Sequence, residues 1–144
     1  GRAGRRTVVG GGRRAATGQG ADVARAVAMG CCFGGAAVLE WARSGADLKG
    51  FVSFHGGLET PEGQDYRAVK GDLLIVHGTA DASVSMAQFA ALAETLEQQG
   101  RRHEMITYSG APHALTAFGT DRYREDADRK SWQRFSSFLE ETLR

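Results

Sequence analysis

The residues best suited to covalent chemistry lie in Met29-Gly30-Cys31-Cys32-Phe33-Gly34-Gly35. This segment sets a cysteine in a G-x-C-x-G pattern, where an apolar run gives way to helical spacing from Gly35 to Ala42. A nucleophile at so sharp a strand-to-helix bend projects from the strand end. Small residues on either side leave room for the strained backbone and for close approach of the helix. The spacing selects Cys32, flanked by Gly30 and Gly34, whereas Cys31 would be flanked by Met29 and Phe33 and is read as a packing residue. Two adjacent cysteines match neither a metal knuckle nor a C-x-x-C redox pair, and there is no third cysteine, so a working thiol is expected. A helix starting after Cys32 aims N–H groups and the positive dipole end at the sulfur, which predicts a lowered thiol pKa. The Phe33 backbone N–H would be one oxyanion donor. The bland alternative is an inert cysteine buried in a tight turn.

A cysteine of this kind needs a base, and the base needs an orienting acid. With a nucleophile on such a bend, the acid follows in chain order and the histidine comes last, each in a loop after a strand. Asp81 ends Leu73-Leu74-Ile75-Val76-His77-Gly78-Thr79-Ala80-Asp81, an apolar strand running into a glycine-containing turn. His113 ends Tyr108-Ser109-Gly110-Ala111-Pro112-His113, again a strand and a turn, with Pro112 restricting the backbone. The expected roles are His113 as general base toward Cys32 and Asp81 as the group that orients its ring. Of the other histidines, His77 falls inside a strand and His103 at a strand start; His55, at the end of a strand, is the one placed to line a substrate pocket.

The elements that must position these residues are strands at 23–29, 51–54, 73–76 and 103–108, with helices at 35–42, 86–98 and 122–143. Residues 56–71, with Pro61 and several charges, read as a surface excursion without a regular element. Alternating strands and helices predict an α/β fold, a mainly parallel sheet of about four strands flanked by helices. Trp132, Phe135, Phe138 and Leu139 make an apolar stripe on the last helix, and Trp132 is expected in the core.

With 144 residues, 42% hydrophobic and 24% charged, the chain has the composition of one globular domain, assigned to residues 21–144 behind a Gly/Arg-rich arm at 1–20. No apolar run approaches the roughly 18 residues of a membrane span, and no secretory signal pattern opens the chain, so the default expectation is cytoplasmic. A formal net charge of +1 gives no general attraction for nucleic acid or membranes, and the six arginines among the first 25 residues read as a solvated arm. The arm has one candidate strand at Thr7, Val8 and Val9. Its Gly10-Gly11-Gly12-Arg13-Arg14-Ala15 formally matches the G-x-G-x-x-A of dinucleotide-binding folds, but neither the following apolar helix nor an acidic ribose partner is present.

Four motifs together carry a family resemblance: Gly30-Cys31-Cys32-Phe33-Gly34-Gly35, Phe51-Val52-Ser53-Phe54-His55-Gly56-Gly57, His77-Gly78-Thr79-Ala80-Asp81 and Gly110-Ala111-Pro112-His113-Ala114. In these, and in the final helix, the chain resembles the dienelactone hydrolase family from about Asp22 to the end. The resemblance implies a truncated alpha/beta-hydrolase fold, with Cys32, Asp81 and His113 at the family's triad positions. It also implies hydrolysis of a small ester or lactone through an acyl-cysteine intermediate, with no cofactor and no metal. The segment before Asp22 does not resemble the family's N-terminal half, which supplies the first strands, a second oxyanion donor and a glutamate near the cysteine. Ala117 stands where dienelactone hydrolases proper carry an arginine for the substrate carboxylate, so dienelactone itself is not the expected substrate.

A first strand without its outer neighbour exposes backbone groups and apolar side chains, which predicts a homodimer or larger homo-oligomer. The competing functional expectation is a noncatalytic hydrolase-fold remnant that binds a ligand or partner.

Overall fold

The computed structural model describes residues 14–144. The expected strand at Thr7 to Val9 and most of the Gly10 to Ala15 match therefore lie outside the described residues. Among the described residues four strands, β1 (Val27–Cys31), β2 (Gly50–Phe54), β3 (Asp72–Gly78) and β4 (His103–Tyr108), form one sheet in the order β1-β2-β3-β4. All three pairings are parallel. Helices α1 (Phe33–Arg43), α2 (Met86–Gln98) and α3 (Glu125–Thr142) complete the α/β layering.

Period-two alternation on the inner strands builds both cores. Phe51 of β2 with Leu73 and Ile75 of β3 pack against Val38, Leu39 and Ala42 of α1 and Leu92 and Leu96 of α2. Val52 and Phe54, with Leu74 and Val76, face the opposite side and pack against Phe135 and Phe138 of α3. Both faces of β2 and β3 are covered, which is why these strands read as continuous apolar runs.

Local chemistry sets the element ends. Ser85 caps α2 by accepting from the Gln88 N–H while the Gln88 side chain accepts from the Ser85 N–H. Glu125, Asp126 and Asp128 sit in the first turn of α3, the favourable end of its dipole. The expected first strand at 23–29 is displaced. Asp22 accepts from the Ala24 N–H at 3.1 Å and winds Val23–Arg25 into a 3-10 turn, so pairing starts at Val27 opposite Gly50. The last helix likewise starts at Glu125 rather than at 122. Residues 56–71 form only turns and are anchored by Arg43, which donates to Gln64, to the Tyr66 hydroxyl and to Glu40, each at 2.8 Å.

Two packing expectations are corrected. Trp132 is 43% exposed: it covers Phe54 and Phe135 at 5.4 Å between centroids and shows its outer side to solvent. Cys31 is exposed rather than packed, because among the described residues β1 is an outer strand of the sheet.

Candidate active site

Cys32 is the N-cap of α1, directly after β1, with φ 51° and ψ −118°. Its N–H reaches the Phe54 carbonyl at the end of β2 at 3.0 Å, and its carbonyl accepts from Ala36. Gly30 permits this bend, since a Cβ there would overlap the Gly34 carbonyl. Gly35 permits the helix to lie on the sheet, since its Cβ would stand 2.6 Å from Ser53 Oγ and 3.0 Å from Gly56 Cα. A Cβ on Gly34 would meet nothing within 4 Å, so the expected requirement for small residues falls on Gly30 and Gly35 instead.

Asp81 and His113 come from the loops after β3 and β4, and those loops are laced together. Ala80 N–H donates to the Ala111 carbonyl at 3.0 Å, and Gly110 N–H donates to Thr79 Oγ1 at 2.9 Å. Gly78 makes the approach possible, because a Cβ on it would collide with the Ala111 carbonyl. His113 Nδ1 then lies 2.9 Å from Asp81 Oδ2, while Asp81 Oδ1 accepts from the N–H groups of Ser83 and Val84. Burial raises the Asp81 pKa, but these two N–H groups and the imidazole outweigh it and hold the carboxyl below its ordinary range. With Nδ1 engaged, Nε2 is the His113 nitrogen available to a reacting group.

The thiol's hydrogen bond goes to a second histidine. Cys32 Sγ lies 3.3 Å from His55 Nδ1, His55 Nε2 lies 2.8 Å from Thr116 Oγ1, and the His55 and His113 rings meet edge-on at 5.7 Å. His55 is 1% exposed, so it forms the floor beneath the thiol rather than the wall of an open pocket. Burial first, then His113, lowers its pKa to about 4, leaving a neutral ring at neutral pH. Burial and the Asp81 carboxylate push the Cys32 thiol above its ordinary value, with Arg122 opposing. The lowering expected from the helix N-terminus is thus outweighed.

Among the described residues, the non-glycine residues with positive φ are Cys32, His55 and Ala114, the last adjoining His113. Backbone strain is therefore concentrated at this one edge of the sheet, beyond the C-terminal ends of the strands. A cleft of about 580 Å³ at the opposite edge, between Lys49, Lys70, Arg102 and Arg134, contains none of these residues. No group of three or more His, Cys, Asp or Glu among the described residues is arranged to hold a metal ion. No described helix is long and apolar enough to cross a membrane. Sequence reasoning missed Thr116 and Arg122, three and nine residues after His113; no periodicity marks either, and Thr116 meets the site through His55 while Arg122 acts on the Cys32 thiol.

The fold recurs in known proteins. A dienelactone hydrolase-like promiscuous phosphotriesterase from metagenomic libraries shares 30% identity over 81% of this chain and 52% of its own, with a TM-score of 0.72. A protein from Klebsiella pneumoniae subsp. pneumoniae, assigned as a dienelactone hydrolase, superposes with a TM-score of 0.81 at 24% identity over 88% of this chain and 56% of its own. Thermogutta terrifontis esterase 2, in a form phosphorylated by paraoxon, gives 0.71 at 24% identity over 97% and 62%. At that identity the last two are similar in fold. The chain spans between about half and two thirds of these three structures' own lengths. Residues 13–143 match the Dienelactone hydrolase family, and with the sheet and the four motifs in place, the chain belongs to that family.

Proposed function

We propose that the chain carries the catalytic residues of a hydrolase acting on small carboxylic esters or lactones through an acyl-cysteine intermediate. The observation that carries this reading is the Asp81–His113 pair at 2.9 Å, linked through the His55 ring to a cysteine held at φ 51° on a strand-to-helix bend. His113 Nε2 takes the Cys32 thiol proton as sulfur attacks the carbonyl carbon, and the Phe33 N–H stabilises the oxyanion. Collapse expels the alcohol, which leaves with the proton from His113. Water, deprotonated by His113, then cleaves the thioester, and the carboxylic acid departs with Cys32 again a thiol. Asp81 fixes the imidazole tautomer and stabilises the imidazolium. These steps use side chains, backbone and water alone.

An activated acyl ester tests the reading. Turnover and a Cys32-acyl adduct in mass spectrometry are expected, and both should vanish in Cys32→Ala; equal turnover in variant and parent removes Cys32 as nucleophile. Paraoxon is a second probe, since two structural neighbours are described through phosphotriester chemistry. It would place a phosphoryl group on sulfur and release nitrophenolate.

A raised thiol pKa and a thiol that contacts His55 Nδ1 at 3.3 Å favour a second reading, a noncatalytic binding module. Binding of an ester without any acyl or phosphoryl adduct would select it.

A further inference from the structure

Cys31 stands next to the assigned nucleophile and takes no part in the hydrolysis. It is the last residue of β1, in register with Phe54, and its side chain is exposed; Cys32 follows directly, half-buried, with its N–H on the Phe54 carbonyl. The chain holds no third cysteine, so within it each thiol has the other as its one sulfur partner. Strand alternation sends adjacent side chains to opposite faces, and β1 obeys it where Val27 packs on the α3 side and Ala28 on the side of α1 and α2. The alternation stops at Cys32, which leaves extended geometry at φ 51°. The peptide bond between the two cysteines is trans, so their Cα atoms lie about 3.8 Å apart. Ordinary disulfides span Cα separations of about 4.4–6.8 Å, so a bond between these two sulfurs closes a strained ring, one that a thiol reductant opens readily.

We propose that Cys31 and Cys32 form a peroxide-responsive dithiol, in which Cys31 is the resolving thiol that traps the oxidised nucleophile as a reversible Cys31–Cys32 disulfide. The inference rests on Cys32 as the reactive thiol of the proposed hydrolase. Cys32 gives its proton to His113 and its sulfur attacks one oxygen of hydrogen peroxide. The O–O bond breaks, the departing hydroxide takes the proton and leaves as water, and Cys32 becomes a sulfenic acid; sulfur has lost the two electrons that peroxide gained. Cys31 then attacks the Cys32 sulfur, the S–O bond breaks, and the hydroxyl leaves with the Cys31 proton as a second water. A monothiol such as glutathione reopens the ring by two successive exchanges and departs as its own disulfide. Electrostatics sets the order of the steps. Burial first, and then the charge of Cys32, hold the Cys31 thiol above its ordinary range. A sulfenic acid is neutral, so oxidation of Cys32 removes the second cause and eases the ionisation that Cys31 needs in order to attack. Closing the ring draws the Cys32 sulfur off its 3.3 Å contact with His55 Nδ1 and leaves no thiol to attack an ester. Peroxide thus switches the site off, and the ring keeps the sulfur from climbing to the irreversible acids.

The test treats the reduced full chain with excess hydrogen peroxide and reads intact mass, iodoacetamide labelling located by fragmentation, and ester turnover, each before and after dithiothreitol. The parent should lose the mass of two hydrogens, resist labelling at both cysteines, and regain both thiols and its turnover with dithiothreitol. Cys31→Ser alters an exposed side chain outside the reacting groups, so its melting temperature and its turnover before oxidation should match the parent. Without a resolving thiol, its Cys32 should climb to sulfinic and sulfonic acid, and turnover should stay lost after dithiothreitol. A parent whose Cys32 gains oxygen as the variant's does, or whose sulfurs join two chains instead of closing within one, overturns the proposal. Recovery in Cys31→Ser equal to that of the parent overturns it as well. Mass and labelling follow the sulfurs whether or not an ester is turned over, so a reduced parent without turnover counts against Cys32 as the acyl nucleophile, while ring closure is decided on its own.

Discussion

His113 Nδ1 stands 2.9 Å from Asp81 Oδ2 across 32 residues of chain, and the carboxylate's other oxygen is already committed to the N–H groups of Ser83 and Val84. The carboxylate is thus held from its own loop and cannot swing to follow the ring. Asp81→Asn should keep the loop folded, since the amide oxygen can still accept from Ser83 and Val84. It removes the charge that stabilises the imidazolium and can impose the wrong tautomer. Ester turnover should fall by about 10³-fold or more with little change in melting temperature. Retention of more than a tenth of parent activity would mean that the Asp81–His113 pair does not serve the reaction.

The glycines of the bend separate sharply. Gly30→Ala forces a Cβ into the Gly34 carbonyl and should cost about 1–3 kcal/mol in denaturant unfolding. Gly34→Ala enters open space inside α1 and should be neutral or stabilising by up to roughly 1 kcal/mol. Equal destabilisation by the two would contradict the geometry of the bend.

That contrast also marks how far the sequence could be read. The placement of Cys32 at the bend and of Asp81 and His113 in the loops after β3 and β4 was legible because each ends or follows an apolar run. Helix 86–98 and strand 103–108 were legible for the same reason, their patterns being sustained. The start of β1 was not, because a single Asp22 side chain bond turns an apolar run into a 3-10 turn. Nor was the role of His55 beneath the thiol, which depends on a hydroxyl 61 residues away and on a positive φ that no periodicity reveals. Trp132 and Cys31 were misplaced because helical and strand spacing report which face a residue shares, not whether anything covers that face.

Acid should destabilise the fold through His55. Its folded-state pKa of about 4 lies below the 6.5 of a free imidazole, so between these values the unfolded chain binds the extra proton and stability rises with pH. The contribution is complete above pH 6.5 and is lost as pH falls toward 4, amounting to roughly 3 kcal/mol at most. His55→Gln should flatten that part of the stability–pH curve measured by urea unfolding. An unchanged slope would show that His55 is no more buried from protons in the folded chain than in the unfolded one.

Arg43 is a second point of leverage, away from the chemistry. Its guanidinium bridges Glu40, Gln64 and the Tyr66 hydroxyl and lies over the Tyr66 ring at 5.2 Å, and both partners of the Glu40 ion pair are buried. Removing the cation leaves a carboxylate in the core, so Arg43→Met should destabilise by about 3–5 kcal/mol. Glu40→Gln with Arg43→Met together should recover part of that loss, because the buried carboxylate charge that Arg43 offsets is then removed as well. If the double variant is as unstable as the sum of the single ones, the two side chains are not coupled.

The outer strand gives the last prediction. Among the described residues β1 pairs with β2 on one side only, Met29 is 36% exposed and Cys31 is exposed beside it, so within them a row of backbone groups without a strand partner lies next to apolar surface. An edge of this kind is satisfied when a second copy adds its own, and a two-fold arrangement closes the contact without leaving a new edge. Light scattering at micromolar concentration should report a dimer or larger species, and dilution should lower the melting temperature because assembly contributes to stability. Met29→Lys places a charge on the same edge and should shift the chain toward monomer. A monomer with a concentration-independent melting temperature would mean that the strand edge is tolerated alone, and Met29→Lys should then change neither size nor stability.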